Sequence, residues 1–157
     1  MKVRIVLADD HNLFREGLRS LLRGIQGVEV VGESENGRDA VRLCLELKPD
    51  VVIMDVAMPE LNGIEAARRI MEDNPEARVI ALSMHSSKRF VLDMLQAGAM
   101  AYLLKNSAFK ELADAVAAVK SGRAYLSPAI AAVVVEKIAS PGGEGVEIGC
   151  GNLRAVA

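Results

Sequence analysis

Short apolar runs alternate with amphipathic segments through most of the chain. Residues 3–8, 28–32, 51–54, 79–82 and 101–104 are mostly apolar and predict five buried strands. Between and after them, residues 12–23, 37–47, about 64–73, 89–97 and 107–121 place apolar side chains at helical spacing. Strand and helix therefore alternate strictly, five times over.

This alternation predicts an α/β fold whose parallel sheet is covered by helices on both faces. Because crossovers between parallel strands are right-handed, few topologies remain open. We expect a flavodoxin-like, doubly wound (βα)5 domain with five parallel strands in the order 2-1-3-4-5. Ligands of such sheets bind beyond the carboxyl ends of the strands, here between strands one and three.

Three segments divide the chain. Residues 1–122 form the predicted domain, and residues 123–140 form a linker helix. Ser127 is predicted to cap this helix and Pro128 to occupy its first turn. Residues 129–139 are apolar nearly all round, so this helix needs a partner surface. Residues 141–157 form a glycine-rich tail, which we expect to be disordered or not native to the protein.

Composition excludes several classes of function. The net charge is −2 and aromatic residues make up 3% of the chain. Both values argue against a nucleic-acid-binding protein, and the charge gives no reason to expect an anionic membrane surface as a partner. Cys44 and Cys150 match no metal spacing and fit a reducing, cytoplasmic location. No signal peptide and no apolar run long enough to span a membrane is found in the sequence.

The chemically informative residues follow the apolar runs. Asp9 and Asp10 end the first strand, Asp55 the third, Ser83 the fourth and Lys105 the fifth. In the proposed order, strands 1, 3, 4 and 5 are neighbours, so all five side chains are expected to meet at one edge of the sheet.

Three carboxylates at one place repel each other unless a cation lies among them. Mg²⁺, with oxygen ligands and retained water, is the cation we expect. Lys105 adds a positive charge for a phosphoryl oxygen, and the Ser83 hydroxyl can donate a hydrogen bond to another. The set suits in-line transfer of a phosphoryl group to an aspartate.

At these residues the chain resembles the receiver domains of two-component response regulators. The resemblance covers roughly residues 3–122. It rests on ADD at residues 8–10, VVIMDVAMP at 51–59 with NG at 62–63, ALS at 81–83 and AYLLK at 101–105.

The resemblance implies a role for each residue. Asp55 would be the phosphoacceptor. Asp10, Asp55 and the backbone carbonyl of Ala57 would bind Mg²⁺ directly, and Asp9 would bind it through water. Lys105 would pair with the phosphoryl group, and Ser83 and Tyr102 would form the switch: Ser83 moves towards the phosphoryl group and Tyr102 follows inward.

The resemblance also implies partners. A sensor histidine kinase would donate the phosphoryl group, and the chain would assist its own phosphorylation and dephosphorylation without being an enzyme. Phosphorylation would bias a surface formed by the fourth helix, fifth strand and fifth helix towards a homodimer. The dimer would form through the first and fifth helices or through the apolar helix of residues 129–139.

A further likeness is to the NarL/FixJ regulators, which carry a LuxR-like helix-turn-helix after a linker. It rests on DH at residues 10–11, FREGL at 14–18, GR at 122–123 and YLSP at 125–128. This chain departs from them after the linker, where only the glycine-rich tail follows. DNA would then be bound only through an output domain absent from this chain. We favour a receiver cut from a longer transcription factor over one that has lost its output domain.

Rival functions of similar folds fit less well. An FMN carrier needs a loop rich in Ser, Thr and Gly after the first strand, where Asp9 and Asp10 stand. A haloacid-dehalogenase hydrolase needs an acid two residues after its nucleophile, where Ala57 stands. A purely structural module would not need the acidic residues.

Some residues have simpler interpretations. Tyr102 could be an amphipathic ring half-buried at a strand edge. His11 and His85 flank the proposed site, and we expect neither to be a metal ligand or catalytic group. His85 is a candidate for controlling how water reaches the phosphoryl group. Cys44 is predicted to lie in the core.

Overall fold

The structure is a computed structural model that describes residues 2–139, so Cys150 and the glycine-rich tail lie outside the described residues. Six strands form one sheet: β1 Val3–Ala8, β2 Val28–Ser34, β3 Val51–Asp55, β4 Arg78–Ser83, β5 Ala99–Leu104 and β6 Tyr125–Leu126. Six helices connect or follow them: α1 Asn12–Arg23, α2 Gly37–Leu47, α3 Gly63–Asp73, α4 Lys88–Gln96, α5 Ala108–Lys120 and α6 Pro128–Ala139.

The order of strands in the sheet is β2-β1-β3-β4-β5-β6, and every pair is parallel. The predicted flavodoxin-like fold and its order 2-1-3-4-5 are confirmed, with one short strand added at the edge. That strand, β6, pairs Tyr125 with Ala101 and Leu126 with Tyr102 of β5. Two paired residues are too few to give a periodic signal in the sequence, so β6 was not predicted.

The core consists of two apolar layers, one on each face of the sheet. Val51 and Ile53 of β3 face the layer covered by α1 and α5, whereas Val52 and Met54 face the layer covered by α2, α3, α4 and α6. All residues of β3 are buried. A strand buried on both faces reads as a continuous apolar run, which explains why residues 51–54 show no alternation.

Asparagine side chains start two of the helices next to the site. Asn36 Oδ1 accepts a hydrogen bond from the Asp39 amide at 2.7 Å and starts α2. Asn62 Oδ1 accepts one from the Glu65 amide at 3.0 Å and starts α3. Each bond satisfies an amide that the helix itself leaves unpaired. The loop after β3 is thereby fixed at its far end.

The apolar helix α6 finds its partner surface within the same chain. Ile130 and Val134 are fully buried in the layer that also contains Val91 and Met94 of α4. Val135, in contrast, is 44% exposed. Much of the apolar surface of α6 is therefore already covered in a single copy of the chain.

Ser127 occupies the predicted cap position of α6, but neither its hydroxyl nor that of Ser107 before α5 accepts an amide of the helix. Ser107 precedes α5, but its side chain does not cap the helix; its hydroxyl donates to the Leu104 carbonyl at 3.4 Å. The Ser127 hydroxyl donates to Glu111 Oε1 at 2.9 Å, although the Ser127 carbonyl accepts the first amides of α6. In both cases a nearby acceptor competes successfully for the hydroxyl.

None of the helices in residues 2–139 has the length and apolar character needed to cross a membrane. Cys44 is buried, as predicted, and burial raises the pKa of its thiol to about 12. It is a core side chain with no thiolate character at neutral pH.

Candidate functional site

Parallel pairing brings the predicted site residues to one edge of the sheet. Asp55 and Ser83 are the last residues of β3 and β4, and Lys105 directly follows β5. The Lys105 amide donates to the Ser83 carbonyl at 2.8 Å, and the Val56 amide donates to the Leu82 carbonyl at 2.9 Å. Backbone hydrogen bonds therefore continue past the strand ends and hold their side chains beside one another.

Lys105 joins two buried carboxylates. Its Nζ lies 2.8 Å from Asp9 Oδ2 and 2.9 Å from Asp55 Oδ2. Asp9, Asp55 and Lys105 are 1%, 3% and 6% exposed. Two acids and one ammonium leave the group one negative charge in excess, in a place where solvent screens poorly.

The environment of Asp55 disfavours its charge. Burial is the main cause that raises the pKa of Asp55, and the negative charge of Asp9 adds to it. The hydrogen bond and charge of Lys105, and the hydrogen bond from the Ala57 amide to Asp55 Oδ1 at 3.1 Å, act in the opposite direction without cancelling the rise. A further cation beside Asp55 would favour the ionised form that a nucleophile needs.

The remaining acid, Asp10, is in the same place. We call Asp9, Asp10 and Asp55 the acid cluster. His11 Nδ1 lies 3.2 Å from Asp9 Oδ1, 3.4 Å from Asp10 Oδ1 and 4.0 Å from Asp55 Oδ2. One ligand atom from each of these four residues lies within 4.8 Å of the others. The three carboxylates predicted to bind the metal are thus brought together, and the His11 ring lies close to all three.

The donor set fits a hard divalent cation. Asp9 Oδ2 is buried and has no hydrogen-bond partner within residues 2–139. Lys105 approaches this oxygen at 2.8 Å as a charge, without the geometry of a hydrogen bond. Carboxylate oxygens with a spare lone pair and partial access to water are what Mg²⁺ prefers.

The two predicted switch residues are in contact with the loop after β4. Ser83 Oγ accepts the His85 amide at 2.9 Å, and the Tyr102 hydroxyl donates to the His85 carbonyl at 3.3 Å. Tyr102 is fully buried. Burial raises the pKa of Tyr102, and a hydrogen bond with Ser83 partly opposes this rise. The ring is therefore inside the domain, not half-buried at its edge.

Three residues next to Lys105 and Asp9 were given no role in the site by the sequence. His11 Nδ1 lies 3.0 Å from Lys105 Nζ, and the ring of Phe14 has its centroid 4.8 Å from the same Nζ. Arg15 donates to the Asp9 carbonyl at 2.6 Å. Spacing in the sequence gives no signal for these contacts, because Asp9 and Asp10 precede α1, which begins at Asn12.

Comparison with known proteins agrees with this geometry. Residues 5–117 match the family model described as the response regulator receiver domain. The response regulator GacA of Pseudomonas viridiflava is 37% identical over 139 residues, covering 88% of this chain. The chain spans 65% of the length of that relative.

Solved structures match over most of the described region. A LuxR-family response regulator from Aurantimonas sp. SI85-9A1 superposes with a TM-score of 0.84 at 38% identity, covering 89% of this chain and all of the other. RcsB, solved as two dimers bound to two parallel DNAs, superposes with a TM-score of 0.79 at 28% identity, covering 90% of this chain and 72% of the other. The chain belongs to the response-regulator receiver domains and is of the LuxR/NarL type.

Proposed function

We propose that this receiver accepts a phosphoryl group on Asp55 from a phosphohistidine of a sensor histidine kinase in the cytoplasm. The observation that carries the proposal is the contact of Lys105 Nζ with the buried carboxylates of Asp9 and Asp55, of which Asp9 Oδ2 has no hydrogen bond within residues 2–139. Burial of these charged groups lowers the stability of the fold, and a role in phosphoryl transfer would explain their presence.

In the proposed site, Asp10, Asp55 and the Ala57 carbonyl would hold Mg²⁺ directly, and Asp9 would hold it through water. The bound ion would supply positive charge for the oxygens of the phosphoryl group and lower the repulsion within the acid cluster. Three carboxylates within reach of one point support this assignment.

The remaining steps belong to the chain itself. A carboxylate oxygen of Asp55 attacks phosphorus as the bond from phosphorus to the kinase imidazole nitrogen breaks. The imidazole leaves with the electron pair and takes up a proton. Lys105, which now pairs with Asp55 Oδ2 at 2.9 Å, then donates to a phosphoryl oxygen. For dephosphorylation, water attacks phosphorus, and the Asp55 carboxylate leaves as phosphate is released.

The switch follows from the hydroxyls of Ser83 and Tyr102. Ser83 Oγ would exchange its contact with the His85 amide for one with the phosphoryl group. Tyr102, whose ring is inside the domain, would hold this inward position when Asp55 is phosphorylated. A ligand can shift such an equilibrium only through different contacts in the two states.

The proposed output is a homodimer, which in a longer parent would bring two DNA-binding modules together. RcsB supports this as a relative solved as dimers on DNA. Leu13 of α1 and Phe109 of α5 are 83% and 47% exposed, so the α1–α5 face offers free apolar surface. This favours α1 and α5 over the largely covered α6 as the dimer surface. Sedimentation with and without beryllofluoride tests it, and equal mass in both states would contradict it.

Phosphorylation itself is tested with acetyl phosphate as donor. With Mg²⁺ present, intact-mass spectrometry should show a base-labile adduct of about 80 Da on the chain and none on Asp55→Asn. Chelation of the metal should abolish labelling. Equal labelling of Asp55→Asn would disprove the assignment of the phosphoacceptor.

A further inference from the structure

Arg15 lies in the first turn of α1, and its side chain makes hydrogen bonds to three different residues. Its Nη1 donates to the Asp9 carbonyl at 2.6 Å, its Nη2 to Asn12 Oδ1 at 2.9 Å, and its Nε to Glu33 Oε1 at 3.0 Å. The side chain is only 13% exposed. A guanidinium that donates to three separate acceptors has little freedom to move.

Glu33 anchors this arrangement from the end of β2. Its Oε2 accepts Arg19 Nη1 at 2.8 Å, while Oε1 accepts Arg15. Burial of Glu33 opposes its charge, but the hydrogen bonds from Arg19 and Arg15 outweigh burial, so the pKa of Glu33 lies below its ordinary value. Glu33 is therefore a carboxylate at neutral pH and keeps Arg15 in place.

The Asp9 carbonyl lies at the turn that carries both acids of strand one. Because the peptide unit is planar, fixing this carbonyl also fixes the direction of the Asp10 amide and Cα. The Asp9 carboxylate accepts the next amide, that of His11, at 2.8 Å. The direction of the two carboxylates thus depends on a backbone segment that Arg15 holds from outside the acid cluster.

We propose that Arg15 is a positioning residue of the phosphorylation site, which it serves by orienting the Asp9–Asp10 backbone for the cation. Arg15 contacts the main chain and not the reacting atoms. The inference rests on the proposed function, because it assumes that the acid cluster binds a divalent cation. Groups that orient metal ligands affect metal affinity by about 10-fold or more when removed.

The experiment compares four variants of the full chain. Arg15→Gln removes the charge and the planar set of guanidinium donors, whereas Arg15→Lys keeps the charge alone. Glu33→Gln removes the carboxylate charge that holds Arg15. Arg42→Gln is the matched control, since it removes an arginine from the surface of α2 that contacts only Asp39 and Glu46 among the described residues.

Two readouts are needed. Binding of Mn²⁺ to the unphosphorylated protein, followed by the electron paramagnetic resonance signal of the free ion, reports the site without any phosphoryl transfer. Phosphorylation by acetyl phosphate over a series of Mg²⁺ concentrations gives the concentration for half-maximal labelling. Thermal unfolding in chelator reports stability separately from both.

We expect Arg15→Gln to weaken Mn²⁺ binding about 10-fold and to raise the half-maximal Mg²⁺ concentration by a similar factor. Arg15→Lys should recover part of this loss and Glu33→Gln should show a smaller loss in the same direction. Arg42→Gln should bind as the unaltered chain does.

Unchanged Mn²⁺ affinity in Arg15→Gln, even with a lower melting temperature, would overturn the proposal and leave Arg15 a structural role. If Arg15→Gln does not fold, the affinities of Arg15→Lys and Glu33→Gln decide, and unaltered affinity in both would overturn it. Failure of the unaltered chain to bind Mn²⁺ or to become labelled would instead contradict the proposed function itself.

Discussion

At the scale of single residues, Asp55 carries a cost that its function would explain. It is buried beside Asp9, and burial with that charge raises its pKa. We expect Asp55→Asn to stabilise the unphosphorylated chain without metal by about 1 kcal/mol, a rise in melting temperature of about 2–4 °C. The amide keeps the shape and an acceptor for Lys105 while it removes one of the mutually repelling charges.

Urea unfolding in chelator at neutral pH measures this difference. Asp114→Asn, which removes an exposed carboxylate of α5, is the control and should change stability by less than about 0.5 kcal/mol. Addition of Mg²⁺ should stabilise the unaltered chain more than Asp55→Asn. A less stable Asp55→Asn would show that the contact with Lys105 outweighs the repulsion.

Gly63 is a second single position on which the site depends. A Cβ there would lie 2.2 Å from the Asp55 carbonyl oxygen and 2.8 Å from Val56 Cα. Because both are main-chain atoms of the site, neither can move without displacing Asp55. Gly63→Ala should therefore cost about 2–3 kcal/mol of unfolding free energy and slow labelling of Asp55.

Gly24 supplies the comparison for Gly63. At Gly24 the nearest atom to an added Cβ is the Leu21 carbonyl oxygen at 3.4 Å, and the backbone is helical with φ −80°. Gly24→Ala should then be neutral or stabilising by up to about 1 kcal/mol. Equal urea midpoints for Gly63→Ala and the unaltered chain would refute the close approach.

Sequence reasoning identified the acids, the lysine and the hydroxyl of the site because each follows an apolar strand. It could not identify Arg15, whose contact with the Asp9 carbonyl depends on a side-chain conformation and on Glu33 from a different element. It expected His11 to flank the site, and the structure adds that its ring nitrogen lies close to the three carboxylates. Contacts of this kind have no spacing in the sequence that would indicate them.

At the scale of elements, helix bounds were predicted more closely than strand bounds. The predicted helices at residues 12–23 and 37–47 coincide with α1 and α2. The strands β4 and β5 extend beyond their apolar runs to Arg78, Ser83 and Ala99. Hydrogen bonds to a neighbouring strand, not apolar side chains, define these ends, so the pattern of the sequence underestimates them.

A hydrogen bond of Tyr125 joins strand β6 to helix α5, and the pKa of this tyrosine is raised. The Tyr125 hydroxyl donates to Glu111 Oε1 at 3.1 Å. Burial raises the pKa of Tyr125 to about 12, with the hydrogen bond and charge of Glu111 and the charge of Asp114 adding to it. The folded pKa exceeds the value of about 10 in an unfolded chain, so the protonated Tyr125 stabilises the folded state. This contribution to stability is complete below about pH 10 and is lost as the pH rises through about 12.

An absorbance titration of phenolate in the folded chain tests this. The chain has two tyrosines, and burial raises the pKa of Tyr102 as well. Neither should ionise with a midpoint near 10, whereas both should do so in denaturant. Tyr125→Phe should leave a single step and remove its share of the alkaline loss of stability. A one-tyrosine step near pH 10 in the folded chain would contradict the contact with Glu111.

At the scale of the whole molecule, the order of the strands places the site, and this order was predictable. Right-handed crossovers and five alternating strand–helix pairs left the order 2-1-3-4-5 as the expected one. Asp55 and Lys105, 50 residues apart in sequence, come within 2.9 Å because β3, β4 and β5 are neighbours. The docking of α6 was not predictable, since its apolar residues could have been covered by α4 or by a second copy of the chain.

The division of the chain at residue 122 can be tested through this docking. A chain ending at residue 122 would lose β6 and α6, expose one edge of β5, and uncover the apolar surface that Ile130 and Val134 bury. Each fully buried side chain of this size contributes about 1.5–3 kcal/mol, much of it offset by the entropy of ordering the helix. We expect a net loss on the order of 2 kcal/mol by urea unfolding.

The shortened chain should nevertheless become labelled on Asp55, because the acid cluster, Ser83 and Lys105 all lie within residues 1–122. Retained labelling with reduced stability would support a receiver that is complete at residue 122 and a helix that docks on it. Loss of folding would instead make β6 and α6 part of the domain. Since Ser127 donates its amide to the Tyr102 carbonyl at 3.1 Å, that outcome would also make the linker a structural support of the switch residue.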